Sequence, residues 1–328
     1  MQGLVTVFGG SGFIGRYVVR ALAAKGWRVR VATRRPFRTP ELMVMGAVGQ
    51  IELVQANVRM AASVERALDG AEACVNLVGV LYESGRQGFQ SLHGQGARAV
   101  AEAAARRGIA RLVQVSAIGA DTASPSKYAR TKAMGEQAAR EAVPKAVVLR
   151  PSVVFGQDDD FFNRFATLAQ ISPALPLPGG GATRFQPVFV GDVASAIAAS
   201  VIDSAAAGRT FELGGPTIYS FRELTELTLA EIKRQRFLVP LPWPLASLIG
   251  VVGDAQARLL PIAPMLTSDQ VELLKSDNVA DPALPGLTAL GIEATAVEAI
   301  VPTYLYRYRR GGQFADAPLP VVAPAPGA

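Results

Sequence analysis

The stretch VTVFGGSGFIGRYVVRALAAKGWRVRVATRRP, which starts at Val5, constrains the fold more than any other part of the chain. A run of strand-forming residues, Leu4–Phe8, enters a glycine cluster and leaves it as a pattern with helical periodicity. Gly9, Gly12 and Gly15 are spaced G-x-x-G-x-x-G at that junction. Gly9 permits a sharp turn off the strand, Gly12 lets the backbone approach an anion, and Gly15 lets the helix pack closely on the sheet. The helix N-terminus then presents aligned N–H donors to the anion. Glycines alone would mark only a tight turn, but between a first strand and an amphipathic helix they predict a pyrophosphate site.

The same alternation continues. Strands are expected at Leu4–Phe8, Arg28–Ala32, Ile51–Gln55, Ala73–Leu77, Arg111–Ser116 and Ala146–Leu149. Helices are expected at Phe13–Ala24, Ala61–Leu68, Phe89–Arg107 and Ser126–Ala142. Continuous apolar strands separated by helices predict an α/β fold, a Rossmann-type doubly wound parallel sheet, here with a smaller, mostly helical C-terminal lobe. Gly70 and Gly108 close their helices. After about residue 150 the order loosens. ISPALPLPGGGATRFQP reads as an irregular loop within 157–186, and Asp192 stands in an N-cap-like position before a helix. The expected organisation is a nucleotide domain at 1–214, a lobe at 215–310 and a disordered Pro/Ala/Gly-rich tail at 311–328.

The second strand ends VATRRP, with Thr33, Arg34 and Arg35 some 18–20 residues past Gly15. An acid in this region would bond the ribose 2′-hydroxyl of NAD(H); an arginine cannot accept that proton, but its fork matches a 2′-phosphate. The reading is therefore NADPH or NADP+ in preference to NAD(H), with Arg34 as the principal contact and Arg35 its companion. The alternative is that both arginines are solvated surface charges.

Net charge is +6 and 27 of the 33 basic residues are arginine, which fits an acidic ligand, an anionic membrane surface or an acidic partner without choosing among them. No basic block with interleaved aromatics points to nucleic acid. Cys74 and His93 are the only residues of their kinds, so disulfides are excluded and a metal site is not expected. Cys74 reads as a small buried hydrophobe and His93 as an ordinary helix residue. No signal peptide or import presequence is read before the first strand. The longest apolar run, Phe237 to Gly253, carries three prolines in 17 residues, a poor membrane span.

Tyr128 and Lys132 in SPSKYARTKAMGEQA lie at i, i+4 and share one helix face. At the start of the helix after the fifth strand, this pair resembles the active site of the short-chain dehydrogenase/reductase superfamily. LRPSVVFG and VFVGDVASAI resemble its extended and atypical branches. The resemblance implies that Tyr128 exchanges a proton with the substrate oxygen, that Lys132 binds the nicotinamide ribose and lowers the tyrosine pKa, and that a serine at the end of the fifth strand orients the substrate. The chain reads VSAIGAD there, so only Ser116 is available, 12 residues before Tyr128 and set back relative to active extended members. Ser116 is thus a vestigial candidate, and holding the ribose without turnover stands beside catalysis as a reading of the site.

LVPLPWPLASLIG, MLTSDQVELLKSDNVAD and LPGLTALGIEATAVEAIVPTYLYRYR, with KYARTKAMGE, resemble the short-chain dehydrogenase-like accessory subunits of respiratory complex I, over nearly the whole chain to about Arg310. That resemblance implies a bound NADPH acting as a structural element and docking at the junction of the complex's hydrophilic and membrane arms. Without a presequence the chain reads as a bacterial form, peripheral on the cytoplasmic side of the inner membrane. Other complex I subunits are the implied partners. The run at 237–253 and YLYRYRR (Tyr304 to Arg310) are candidates to face a partner or anionic lipid headgroups, or else to be lobe core and a solvated helix end. Further cofactor contacts implied by the match are Ser11, Phe13 and Ile14 with the three glycines, Asn57 and Val58 beside the adenine, Leu77, Val78 and Gly79 after the fourth strand, and Pro151 and Val154. The competing expectations are an active NADPH-dependent reductase or epimerase on a small carbonyl, quinone-like or nucleotide-sugar substrate, and a soluble NADP(H) sensor or assembly factor.

Overall fold

A computed structural model describes residues 3–260 and 263–314. The strands are β1 (Leu4–Phe8), β2 (Arg28–Thr33), β3 (Ile51–Gln55), β4 (Ala73–Asn76), β5 (Arg111–Val115), β6 (Val147–Pro151), β7 (Val154–Phe155), β8 (Ala174–Pro178), β9 (Arg184–Phe185), β10 (Val188–Phe189), β11 (Thr210–Leu213), β12 (Tyr219–Ser220) and β13 (Phe237–Leu241). The principal helices are α1 (Phe13–Ala24), α2 (Ala61–Ala67), α3 (Gln95–Arg106), α4 (Lys127–Ala142), α5 (Phe162–Ile171), α6 (Val190–Ile202), α7 (Phe221–Glu231), α8 (Trp243–Leu259) and α9 (Ser268–Leu273).

Seven strands form one parallel sheet in the order β3-β2-β1-β4-β5-β6-β11. Residues alternate between its faces: Val5 and Val7 pack toward α1 and α6, whereas Phe8 packs toward α2 and α3. Both faces are covered, which is why these strands read as apolar runs rather than as alternating ones. Strand order reverses between β1 and β4, and a doubly wound sheet opens a crevice at that point, outside the C-terminal strand ends. Gly70 and Gly108 close α2 and α3 in left-handed conformations, φ +68° and +69°.

A further apolar cluster is built from Phe155, Phe162, Leu175, Leu177, Phe221 and Tyr304. Its Leu175 and Leu177 correct the sequence reading of this stretch. Ala174–Pro178 is a strand, β8, paired in parallel with β13, and both leucines are fully buried. The prolines at 176 and 178 do not forbid this, since a two-stranded ribbon is all edge and an edge strand tolerates a missing donor. Asp192 is likewise inside α6 rather than at its cap. Its carboxylate accepts from Thr295 N (2.7 Å) and Thr295 Oγ1 (3.0 Å), tying the C-terminal segment to α6.

The two aromatic and apolar segments left open by the sequence separate clearly. Tyr304 is buried and donates to Asp159 Oδ2 (2.5 Å), and Arg309 bonds Glu231, so that segment is anchored to its own lobe. α8 instead buries only its small residues Ala246, Gly250, Gly253 and Ala257, while Leu248 and Val252 stay 61% and 62% exposed. Among the described residues no helix is long and apolar enough to cross a membrane. Of the tail expected to be disordered, Gly312–Phe314 form a 3-10 turn, and 315–328 lie outside the described residues.

Because Leu177 is enclosed on all sides, Leu177→Ala is expected to destabilise the protein by about 2–5 kcal/mol. Ile171→Ala, at a surface position, should change stability by less than about 0.5 kcal/mol. Urea unfolding followed by circular dichroism compares the two.

Candidate functional site

The sheet delivers most of the candidate residues at its C-terminal edge. Gly9 leaves β1 with φ +80°, outside the range that side-chain-bearing residues readily adopt. Gly15 has no room for a side chain: a Cβ there would meet the Gly9 carbonyl and lie 2.6 Å from Gly10 Cα. Gly12 serves as the α1 N-cap without a side-chain cap bond, and the first turn carries no acid, so its amides remain available to an anion. Ser11 Oγ and Thr33 Oγ1 are hydrogen-bonded at 3.1 Å, which joins the glycine turn to the end of β2. Arg34 and Arg35 follow at once, both exposed and, among the described residues, without an ion pair. Phe13 and Ile14 open α1; a Cβ on Gly156 would stand 3.4 Å from Phe13, so the end of β7, the strand that Val154 begins, lies against the start of α1.

Asn57 and Val58 follow β3. Asn57 Oδ1 accepts from Arg59 N at 3.1 Å, and Ser63 Oγ binds both backbone groups of Asn57, so this loop is braced by its own polar atoms. One lone pair of Oδ1 is still free to accept. Val58 is buried. Leu77, Val78 and Gly79 follow β4: Leu77 N bonds Phe8 O (2.9 Å) and Val78 N bonds Asn76 Oδ1 (3.2 Å). Asn76 is itself held by Gln114 Oε1 at 2.9 Å, a buried amide pair between β4 and β5 that the sequence reading missed. Its signal is the final Asn of an otherwise apolar ACVN strand. Pro151 ends β6.

Lys132 Nζ reaches the end of β5, donating to Val115 O at 3.3 Å, and lies 5.7 Å from the Tyr128 ring centre. Ser116, the next residue on, is buried with its hydroxyl unpartnered. An orphaned hydroxyl on the residue after the carbonyl that Lys132 bonds is a polar group that a ribose or a carbonyl would satisfy. With the uncapped α1 turn and the cradle at Gly15, these residues fit a dinucleotide. Burial pulls the Lys132 ammonium down to about 8. Burial also pushes the Tyr128 phenol up to about 12, with the Asp269 carboxylate adding to the effect. Without a ligand, then, burial opposes the charged form of both groups, although a lysine at about 8 keeps most of its charge at neutral pH.

Asp269 comes from α9, in the C-terminal part of the chain. It accepts from Ser126 Oγ (2.8 Å), Lys127 N (2.6 Å) and Tyr128 N (3.1 Å) at the head of α4. A cavity of about 350 Å³ opens beside this contact, lined among others by Tyr82, Phe89, Lys127, Arg130 and Asp254. His93 is the other correction. The helix expected from Phe89 begins with a π-turn, Gln90–Gly94, and His93 is buried in it, bonded to Val80 N (3.0 Å) and Thr131 Oγ1 (3.2 Å). Cys74 is fully buried in β4, and burial pushes its thiol up, as befits a small apolar residue. Among the described residues no cluster of His, Cys, Asp or Glu could hold a metal ion.

Comparison with known proteins adds four findings. The model of the NAD dependent epimerase/dehydratase family matches residues 5–214. The chain is 35% identical to the mitochondrial NADH dehydrogenase [ubiquinone] 1 alpha subcomplex subunit 9 of Arabidopsis thaliana, over 95% of this chain and 80% of that protein. It is also 37% identical to the ceramide reductase of Caulobacter vibrioides, over 54% of each chain. Among solved structures, the NADPH-dependent quinone oxidoreductase of Escherichia coli complexed with NADPH superposes with a TM-score of 0.71 at 20% identity. That match covers 92% of this chain and 99% of that one, and shows a shared fold.

The Lys132 shift has a thermodynamic consequence. A lysine whose folded pKa is depressed binds its proton more tightly in the unfolded chain, so folding stability rises with pH between about 8 and 10.5. Removing the group in Lys132→Met should abolish this rise, which amounts to roughly 3 kcal/mol for a shift of this size. Unfolding of the ligand-free protein in both forms at pH 7.5 and 9.5, an interval that spans about 2 kcal/mol of that rise, checks it.

Proposed function

The chain belongs to the NAD dependent epimerase/dehydratase family, and from that premise we propose that it is an NADPH-binding accessory subunit of a bacterial respiratory complex I. The nucleotide is held chiefly as a structural element. The observation that carries this reading is the near full-length similarity to a mitochondrial complex I subunit, which includes the second lobe as well as the nucleotide fold. Residues 1–214 form the nucleotide domain and 215–310 the docking lobe in this reading. The exposed face of α8 supplies an apolar surface for other subunits, peripheral on the cytoplasmic side of the inner membrane, and the exposed Arg258 at its end suits anionic headgroups. Arg34 and Arg35, unencumbered at the end of β2, take the 2′-phosphate.

A second reading, an NADPH-dependent reductase, is favoured by one observation: the unpartnered Ser116 hydroxyl next to the Lys132 that Tyr128 accompanies. In that case Tyr128 would deliver the proton to a carbonyl oxygen that Ser116 holds, and a bound nicotinamide would supply the hydride.

Two measurements test the proposal. Tagged protein purified from gently solubilised membranes of its native cell should bring stoichiometric complex I subunits; recovery alone from the soluble fraction rejects the accessory role. Arg34→Ala should weaken NADPH about 10- to 100-fold, the loss of a charged hydrogen bond, and leave NADH within about threefold. Calorimetric titration with both nucleotides decides it, and equal losses for the two would return Arg34 to the solvated surface.

A further inference from the structure

His93 is the only histidine in the chain, and it sits between the two halves of the nucleotide site. On one side its Nε2 accepts the Val80 N–H (3.0 Å), at the end of the loop that begins with Leu77. On the other, its Nδ1 meets Thr131 Oγ1 (3.2 Å), whose own hydroxyl proton goes to Tyr128 O (3.0 Å). Only one protonation pattern closes this chain of bonds. Nε2 must carry a lone pair because it faces a backbone N–H, and Nδ1 must carry the proton because the Thr131 proton is already committed. A second proton would set N–H against N–H at Val80.

The packing leaves the ring no alternative. It stacks on Phe89 (centroids 5.4 Å apart, 25° between planes) and meets Tyr128 edge-on at 5.3 Å. From α4 it faces Tyr128 and Lys132, from the loop the Val80 amide, and from its own turn Phe89. Two glycines let the three elements close on it. A Cβ on Gly135 would stand 2.5 Å from the His93 carbonyl, so only glycine lets α4 approach the π-turn this closely. A Cβ on Gly79 would stand 3.3 Å from Lys132 Nζ and 3.5 Å from His93 Nε2. The loop therefore passes directly over the imidazole and the lysine. Burial, reinforced by the Lys132 charge, holds the imidazole far below its ordinary pKa, at about 2.

We propose that His93 is a positioning residue: a neutral, Nδ1-protonated imidazole that fixes the Gly79–Val80 backbone against the face of α4 bearing Tyr128 and Lys132. It sets the width of the opening between loop and helix without touching a ligand itself. The proposal rests on the loop and α4 belonging to the nucleotide site, but its first measurement does not.

A single histidine makes the test unambiguous. In the full-length 15N-labelled protein, two-dimensional ring-nitrogen NMR should give one protonated Nδ1 and one unprotonated Nε2, unchanged from pH 8 to pH 5. An Nε2-protonated ring, a tautomer mixture, or titration near 6.5 overturns the proposal. Thr131→Val, which keeps the side-chain shape but removes the acceptor, should disturb the tautomer and shift the Gly79 and Val80 amide signals. It should also weaken NADPH binding about fivefold, as expected for one lost hydrogen bond. His93→Gln, with a carbonyl oxygen to accept from Val80 N, should recover most of the affinity that His93→Ala loses. Unmoved Gly79 and Val80 signals in Thr131→Val, or unchanged affinity despite a disturbed tautomer, reject the positioning role. Failure of the wild type to bind either nucleotide rejects the nucleotide reading instead, while the amide shifts still decide the role of His93.

Discussion

The head of any α-helix leaves backbone N–H groups that no carbonyl within the helix can take, and in α4 those groups are taken from far away in the sequence. Asp269 accepts from the Lys127 and Tyr128 amides and from the Ser126 hydroxyl, and Ser126 Oγ in turn accepts from Ala129 N. A carboxylate at a helix N-terminus is favoured twice, by the hydrogen bonds and by the helix dipole. The geometric consequence is larger than the energy. Tyr128 sits in the very turn that α9 grips, so the placement of α9 and the position of the tyrosine are coupled. The middle of α4 is anchored separately. Arg150 of β6 lies between Glu136 of α4 and Glu212 of β11 (2.7 and 3.3 Å), and Glu212 also accepts from Asp281 N. The single arginine serves two nearly buried carboxylates, so removing Arg150 would strand both of them, whereas removing one carboxylate leaves an ion pair.

The sheet was legible in the sequence because each strand is buried on both faces and each crossover carries helical periodicity; β1 through β6 and α1 through α4 fall within a residue or two of the expected bounds, apart from the first turn of the third helix. That turn was not legible. A π-turn inserts one residue into the i, i+4 pattern, and nothing in FQSLHGQGARAV distinguishes it from a regular helix start. β8 was missed for a different reason. Its prolines and neighbouring glycines argued for a loop, yet Leu175 and Leu177 already showed the alternation of a half-buried edge strand. Asp269 lies more than 140 residues from its partners, a contact no local pattern encodes. The glycine turn and the Tyr128–Lys132 spacing were legible because their chemistry depends on neighbours in sequence. His93 was not, because its role depends on three segments meeting.

The difference between a held nucleotide and one that is turned over comes down to the ionisation of one phenol. Proton transfer by a tyrosine near neutral pH needs its pKa brought down, and a permanent cation alongside is the usual means. Here the intended cation is itself reluctant. Lys132 is buried, its Nζ donates to a neutral carbonyl, and its pKa lies at about 8. Asp269 acts on Tyr128 in the opposite sense, disfavouring the phenolate through the same contact that clamps α4. The contact that holds α9 against the head of α4 therefore adds to burial in opposing ionisation of Tyr128. A chain selected for turnover gains by moving that carboxylate away from the tyrosine. Under the proposed accessory role the same carboxylate serves a different end, holding α9 in a fixed relation to the helix that carries Tyr128.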